Sequence, residues 1–489
     1  MVLSPIDYAV IAGYLIAITL FGSWFARFQK TTRDYFLTDR SVPAWAICCS
    51  IVATETSTLT FVGTPAQAYF GNMAFLQLAI GYLIGRFVVA GLFIPAYFRG
   101  ELLTSYELLQ RRFGPSVKNL SAVIFLITRS LGDGVRLFTT AFVVALVTQF
   151  DLSLTIVILG VAMIIYTMRG GVSAVIWTDV VQLFVYIGGA ALVIYALLTR
   201  IDGGWTTVVE TGRQFNKFQI FDFTLNWTTV YTIWTGLIGG VALTLSTHGT
   251  DQFFVQRLLS ARSSRDAARG LIASGFIVFA QFTLFLLIGI MLFTYYQQVP
   301  LPVTLNRNDE ILPVFVVYTL QHGAAGFIVA AIVAAALSPS INAMASTTVN
   351  DFYVPYVRPH ADERELMRVS KQATVFWGVV QIGVALAVQN MQRSVLDAGL
   401  SVLSLASGAV LGAFLLGTMM KRVGSTATLT GMIAGLLAMS GVWLWTPVAW
   451  TWYVFIGAST TVIVACVASL VMPADRVPAS LSVEANRPS

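Results

Sequence analysis

Apolar runs of membrane-spanning length recur along almost the whole chain, separated by short polar stretches rich in Arg, Gly and Pro. A helix rising 1.5 Å per residue needs about 20 apolar residues to cross roughly 30 Å of hydrocarbon, so each run predicts a spanning helix. The runs fall at 7–27, 44–66, 74–98, 118–149, 153–168, 173–199, 228–249, 270–296, 311–343, 371–391, 396–420, 426–446 and 451–472, which predicts about 13 transmembrane helices. The first run lacks the basic flank and small-residue cleavage site of a removable signal peptide, and is expected to remain as a helix.

Composition agrees with this pattern. The 489 residues are 57% hydrophobic and 11% charged, against about 25% charged in soluble domains. The expectation is an all-α polytopic membrane protein lying in the lipid bilayer. Alternate loops carry nineteen Lys and Arg residues, Arg257 among them; the opposite set carries only Arg200, Arg213, Lys217, Arg307 and Arg393. Because cytoplasmic loops hold the excess of basic residues, the N-terminus is expected outside and the C-terminus inside a cell (plasma) membrane. The net charge of +6 then reflects topology, and gives no reason to invoke nucleic acid. Cys48, Cys49 and Cys466 all fall in predicted helices with no metal-site spacing, and read as core residues.

An ionisable side chain in the bilayer core costs at least about 2.5–3.5 kcal/mol, so each one demands a partner, a water-filled cavity or a function. The exceptions to the apolar pattern are Glu55, Gln77, Arg86, Arg129, Asp133, Arg136, Asp179, Gln182 and His248. Arg129, Asp133 and Arg136 are spaced i, i+4, i+7 and share one helix face. They form either a salt-bridge cluster between helices or a site in which one arginine is left to fork onto a substrate carboxylate.

Glu55 stands among Thr54, Thr56, Ser57, Thr58 and Thr60, shortly before Gly63 and Pro65. Short hydroxyl side chains compete for backbone hydrogen bonds, so the run predicts a discontinuous helix. A matching run, Gly239-Gly-Val-Ala-Leu-Thr-Leu-Ser-Thr-His-Gly-Thr-Asp251, occurs in the seventh segment. Broken helices at corresponding positions of two halves point to a transporter of inverted repeats with its site at mid-membrane. The layout is an extra helix and cytoplasmic loop at 1–43, a five-helix unit at 44–199, an extracellular loop at 200–227, a second five-helix unit at 228–420, two further helices at 421–472 and a cytoplasmic tail at 473–489.

Tyr166-Thr-Met-Arg-Gly-Gly-Val-Ser-Ala-Val-Ile-Trp-Thr-Asp-Val-Val-Gln182 resembles the signature of the solute:sodium symporter family, which includes sodium/glucose, proline, sialic acid and iodide transporters. Asp251-Gln-Phe-Phe-Val-Gln-Arg-Leu-Leu259, Ser340-Ile-Asn-Ala-Met-Ala-Ser-Thr-Thr-Val-Asn-Asp-Phe-Tyr353 and Tyr35-Phe-Leu-Thr-Asp-Arg40 are similar to the family in order and spacing. The resemblance implies a LeuT-type 5+5 inverted-repeat core, alternating access, and uptake of an organic solute coupled to Na⁺. It places sodium ligands at the carbonyls of Ala53 and Thr56, facing paired hydroxyls at 335 and 336; both of those are alanine here. Ser338 lies one turn beyond Ala335, and Asp179 corresponds to an acidic residue that in some relatives serves a second ion, so Asp179 with Ser338 is the second-ion pair. Asp179 can equally be a packing carboxylate held by an arginine. The family's pocket positions correspond to Glu55, Thr58, Thr60, Gln77, Arg129 or Arg136, Thr244, Thr247 and His248. Asp133 joins them from the charged face. An aromatic pair that sugar carriers place on the sixth core helix is Thr247-His248 here. His248 reads as a proton carrier, a substrate donor or a histidine satisfied by the backbone.

The expected function is symport of a small polar organic solute with Na⁺, the solute being an anion if an arginine binds it. No cofactor and no obligate protein partner is expected. The alternatives are H⁺ coupling on the same fold, through Glu55, Asp179 or His248, and a transporter-like sensor without net transport. No nucleophile and base set or phosphate loop suggests an enzyme.

Overall fold

The computed structural model describes residues 4–25, 31–99, 102–336, 340–389, 395–420 and 422–472; among these, regular structure is helical apart from one bridge between Val42 and Ala261. The chain opens on α1, Pro5–Trp24, started by a capping box of Ser4 and Asp7 with Pro5 at the first helical position. Next come α2, Ala44–Glu55, and α3, Thr58–Phe70. They are the two halves of one apolar segment, bent by 58° where Thr56 and Ser57 leave helical geometry. The discontinuity at Glu55 is therefore present.

Then follow α4, Leu76–Tyr97, and α5, Pro115–Thr148. The element α6 runs from Leu152 to Leu198 but breaks at Gly171, whose φ of +56° an L side chain rarely adopts. That break separates the expected segments 153–168 and 173–199. A π-helical turn, Thr235–Gly240, leads into α7, Val241–Gly249, and after Thr250 and Asp251 the chain resumes as α8, Gln252–Leu259. The π turn lies against α4, where a Cβ on Gly81 would collide with the carbonyl oxygen of Gly236. Glycine at both positions lets the two backbones meet, as small residues do in membrane helix contacts.

The second half continues with α9, Ser264–Gln298, α10, Ile311–Thr319, α11, Ala324–Ala336, α12, Ile341–Thr347, α13, Glu363–Val388, α14, Val395–Met419, α15, Ser425–Trp445, and α16, Tyr453–Val471. The expected single span 311–343 is instead three helices. Gly323, at φ +87°, turns the chain between α10 and α11. The Asp7 carboxylate reaches across from α1 to accept the N–H groups of Gly323 at 2.7 Å and Gly326 at 2.8 Å, capping α11 from outside its own sequence.

Among the described residues, eight helices are individually long and apolar enough to cross a membrane, or nine if the bent pair α2 and α3 is one span. The expected count of thirteen is not reached by that measure. Leu152–Ile165, Ala324–Ala334 and Ser404–Met419 are apolar but shorter, and the π turn and the Gly323 turn divide other runs.

Candidate functional site

At the first break, the hydroxyls that destabilise the helix also satisfy what the break leaves open. Thr56 Oγ1 donates to the Val52 carbonyl at 2.7 Å, Thr60 Oγ1 to the Glu55 carbonyl at 3.2 Å, and Arg136 Nη2 to the Thr54 carbonyl at 3.3 Å. Orphan carbonyls at a helix end need such partners, the more so without bulk water. Gln281 Nε2 of α9 donates to Thr56 Oγ1. The Glu55 carboxylate points away from this frame and forms an ion pair with Arg86 of α4, while His248 Nε2 of α7 stands 3.7 Å from it. Thr247 Oγ1 donates to the Leu243 carbonyl at 2.9 Å, so the His248 Nδ1–H donates to that hydroxyl, also at 2.9 Å. The Nε2 lone pair is thereby turned toward Arg86 Nη2, 3.5 Å away.

The second break carries its own carboxylate and arginine. Asp251 caps α8, accepting the Phe253 N–H at 2.9 Å, and pairs with Arg129 of α5. Arg129 Nη1 is also 3.6 Å from Asp133 Oδ1, and Asp133 accepts the hydroxyl of Ser340 at the start of α12. Buried ions are tolerated only when paired and hydrogen-bonded in this way.

Between the breaks lies a small cavity of about 120 Å³. Thr54, Glu55, Ser57, Thr60, Arg129, Gly132, Asp133, Arg136, Thr244, Thr247 and His248 line it, together with Leu243, Phe75, Tyr82, Phe253, Phe254 and Phe282. The cavity thus brings together Glu55, Thr60, Arg129, Asp133, Arg136, Thr244, Thr247 and His248. Thr58 is not among the lining: it accepts from Thr140 Oγ1 at 2.9 Å and donates to the Ile332 carbonyl at 3.0 Å. Gln77 also sits elsewhere. Its amide donates to the Ala74 and Tyr231 carbonyls and accepts the Asp222 N–H, which fastens the loop before the π turn.

Beneath α2 is a sealed ionic network. Asp179 of α6 accepts from Ser50 Oγ at 2.6 Å, Thr54 Oγ1 at 3.3 Å and Arg257 Nη2 at 3.1 Å, and Arg257 Nε donates to Ser50 Oγ at 3.0 Å. Both Asp179 and Arg257 are buried. Counted with the cytoplasmic loop cations in the sequence, Arg257 is a helix residue inside the protein. The signal that could have found it is its position in the Asp251–Leu259 string, whose helix α8 is buried on all sides.

For the sodium positions, Ala53 and Thr56 are buried at the broken end of α2. Ser338 lies outside the described residues, and α11 ends at Ala336. Gly132, Leu243, Arg86 and the five aromatic rings are lining or supporting residues that sequence reasoning missed as site members. Arg86 stood out as an intramembrane cation, but its pairing with Glu55 spans 31 positions. The rings are ordinary apolar residues until the helices meet.

The model of the sodium:solute symporter family matches residues 35–435. Sodium/sialic acid symporter SiaT of Proteus mirabilis is 31% identical over 468 residues, 94% of this chain and 93% of that protein. Sodium-coupled monocarboxylate transporter 1 of Homo sapiens is 31% identical over 440 residues, 88% of this chain and 72% of that protein. The solved substrate-bound, outward-open structure of a Na⁺-coupled sialic acid symporter has a TM-score of 0.90 at 30% identity, covering 97% of this chain and all 100% of that one. Mhp1, a nucleobase-cation-symport-1 transporter, has a TM-score of 0.59 at 12% identity over 92% of this chain and 98% of its own, a likeness of fold alone. The architecture is the LeuT-type inverted-repeat fold.

Proposed function

The chain belongs to the sodium:solute symporter family, and on that premise we propose how its cavity works. The protein is a secondary active transporter that takes up a small organic anion with Na⁺ by alternating access, and it is not an enzyme. The observation that carries this reading is the meeting of both broken helices at one cavity, where Glu55 of the first break lines the space and Asp251 of the second pairs with the lining residue Arg129. Discontinuous helices supply backbone dipoles and unmet carbonyls where ions and solutes bind. The Arg129 and Arg136 face of α5 receives the solute carboxylate, because guanidinium groups fork onto carboxylates and Glu55 opposite repels them. Na⁺, a hard cation that binds oxygen, takes the carbonyls of Ala53 and Thr56. With alanine at 335 and 336, the Glu55 side supplies oxygen that α11 does not. Asp179, paired with Ser338, is the second-ion position, and its carboxylate is tied to Arg257 and Ser50.

We assign the two repeats to 44–199 and 228–420, with the N-terminus outside and the C-terminus in the cytoplasm of a cell membrane. The solute and the bilayer are the partners of this cycle. One observation favours a second reading: a His248 Nε2 lone pair 3.7 Å from the Glu55 carboxylate can take a proton and share it with that group, which would couple transport to H⁺. Uptake of labelled solute into proteoliposomes under a Na⁺ gradient, or under a proton gradient in K⁺, tests the choice. Accumulation with Na⁺ alone supports the proposal; accumulation driven equally by the proton gradient overturns it in favour of H⁺.

A further inference from the structure

We propose that the solute is a compact carboxylate with an aromatic or otherwise apolar body, and not a polyhydroxylated acid. The inference rests on reading the cavity as the solute site. Its walls are the reason. Phe75 and Tyr82 pack with Phe282, with ring centroids 4.9 and 6.4 Å from it, as one cluster. His248 tilts against Phe254 at 4.3 Å, and Phe254 meets Phe253 edge-on at 5.4 Å, as a second. These rings come from α4 and the turn before it, α7, α8 and α9, so rings line the cavity from several elements, although the Phe253 ring also carries the Arg129 and Arg257 guanidinium groups. Aromatic surface rewards an apolar or flat body and offers a sugar hydroxyl nothing to bond with.

The polar groups of the cavity do not replace what is missing. Glu55 is engaged by Arg86, Arg129 by Asp251 and Asp133, and Asp133 by Ser340. The hydroxyl protons of Thr60 and Thr247 go to backbone carbonyls. Ser57, Thr244 and the oxygens of Thr60 and Thr247 can each meet a solute hydroxyl, but a polyhydroxylated acid would give up water at more hydroxyls than these few groups serve, and each one left without a partner is unfavourable. A solute with one carboxylate concentrates its polarity at one point of the α5 face, where it must compete with the present partners of Arg129 and Arg136 at a single group, and presents the rest of its surface to rings. Gly132, on that same face, leaves room beside the arginines.

The test uses purified full-length protein and thermal stabilisation, since a ligand that binds the folded state raises its melting temperature. Phenylacetate, benzoate, phenylacetamide, N-acetylneuraminate and gluconate are compared in Na⁺ and in K⁺. Phenylacetate and benzoate stabilise in Na⁺, while phenylacetamide, lacking the charge, and the two hydroxylated acids do not. Phe282→Leu, which keeps apolar volume but removes the ring, weakens phenylacetate binding several-fold, and Phe282→Ala weakens it by about tenfold or more. If stabilisation in Na⁺ comes only from N-acetylneuraminate or gluconate, this inference is overturned and the symporter reading stands. If phenylacetate stabilises equally in Na⁺ and K⁺, the solute class stands and the sodium coupling is overturned. A panel in which neither aromatic acid stabilises in either ion also overturns the inference.

Discussion

The two helix breaks are built from the same parts, a carboxylate and an arginine from another helix, yet they are not equivalent. Asp251 stands at the start of a half-helix, where its side chain caps the backbone of α8 as well as pairing with Arg129. Glu55 stands at the end of a half-helix, its carboxylate turned away from the backbone toward Arg86 and His248. In the second break the charge holds the fold. In the first, the backbone is held by threonine hydroxyls, and the charge, paired with Arg86, faces the cavity. A carboxylate at a helix N-terminus is stabilised by the dipole, whereas one at a C-terminus is not; Glu55 is therefore a costly choice for structure alone.

That difference sets the expected order of mutational effects. Asp251→Ala removes a cap and the nearer of the two carboxylates that pair with a buried guanidinium, losses of about 1 kcal/mol and up to about 3–5 kcal/mol; the melting temperature in detergent should fall the furthest in the series, with little folded protein recovered. Asp179→Asn should follow, by about 3 kcal/mol, because Arg257 loses its buried counter-charge; size-exclusion and thermal melting report it. For the first break, Glu55→Ala alone destabilises by leaving Arg86 unpaired, but Glu55→Met with Arg86→Met should restore most of the lost melting temperature, since apolar residues can replace a buried pair at little cost. Uptake should stay at background in that double variant. The same double replacement of Asp251 and Arg129 should not recover stability, because the cap is gone and Asp133 is left behind; recovery there would erase the distinction between the breaks. The smallest effect belongs to Thr58→Val, which loses hydrogen bonds to Thr140 and Ile332 outside the cavity: about 1 kcal/mol of stability, with uptake unchanged.

Much of this was legible in the sequence because hydroxyls and a carboxylate inside an apolar run have few physical explanations. The break at Glu55 follows from its neighbours, and the one before Asp251 from glycines and hydroxyls in the matching run. The one-face spacing of Arg129, Asp133 and Arg136 survives as the α5 wall of the cavity. What local pattern could not give was pairing across helices. Arg257 looks like a loop cation until α8 is seen to be buried, and Gln77 looks like a pocket residue until its amide is found holding the loop at Asp222. The aromatic wall was least legible: Phe75, Tyr82, Phe253, Phe254 and Phe282 obey the hydrophobic pattern of their own segments, and only tertiary packing turns them toward one space. The segment 311–343 misled through continuity of apolar character, since Gly323 breaks the helix by backbone angle without lowering hydropathy much.

The central claim is that Glu55, at the break whose backbone does not need it, serves the coupling of solute to Na⁺. It is tested most directly by solute-evoked charge movement in proteoliposomes on a solid-supported membrane, with jumps of aromatic and hydroxylated carboxylates applied in Na⁺ and in K⁺. The expected result is a current in Na⁺ that is absent in K⁺, and that disappears in a Glu55→Met, Arg86→Met double variant whose melting temperature is close to that of the unaltered protein. Currents of equal size in the two cations, or an unchanged Na⁺ dependence in a folded variant without Glu55, would contradict the account.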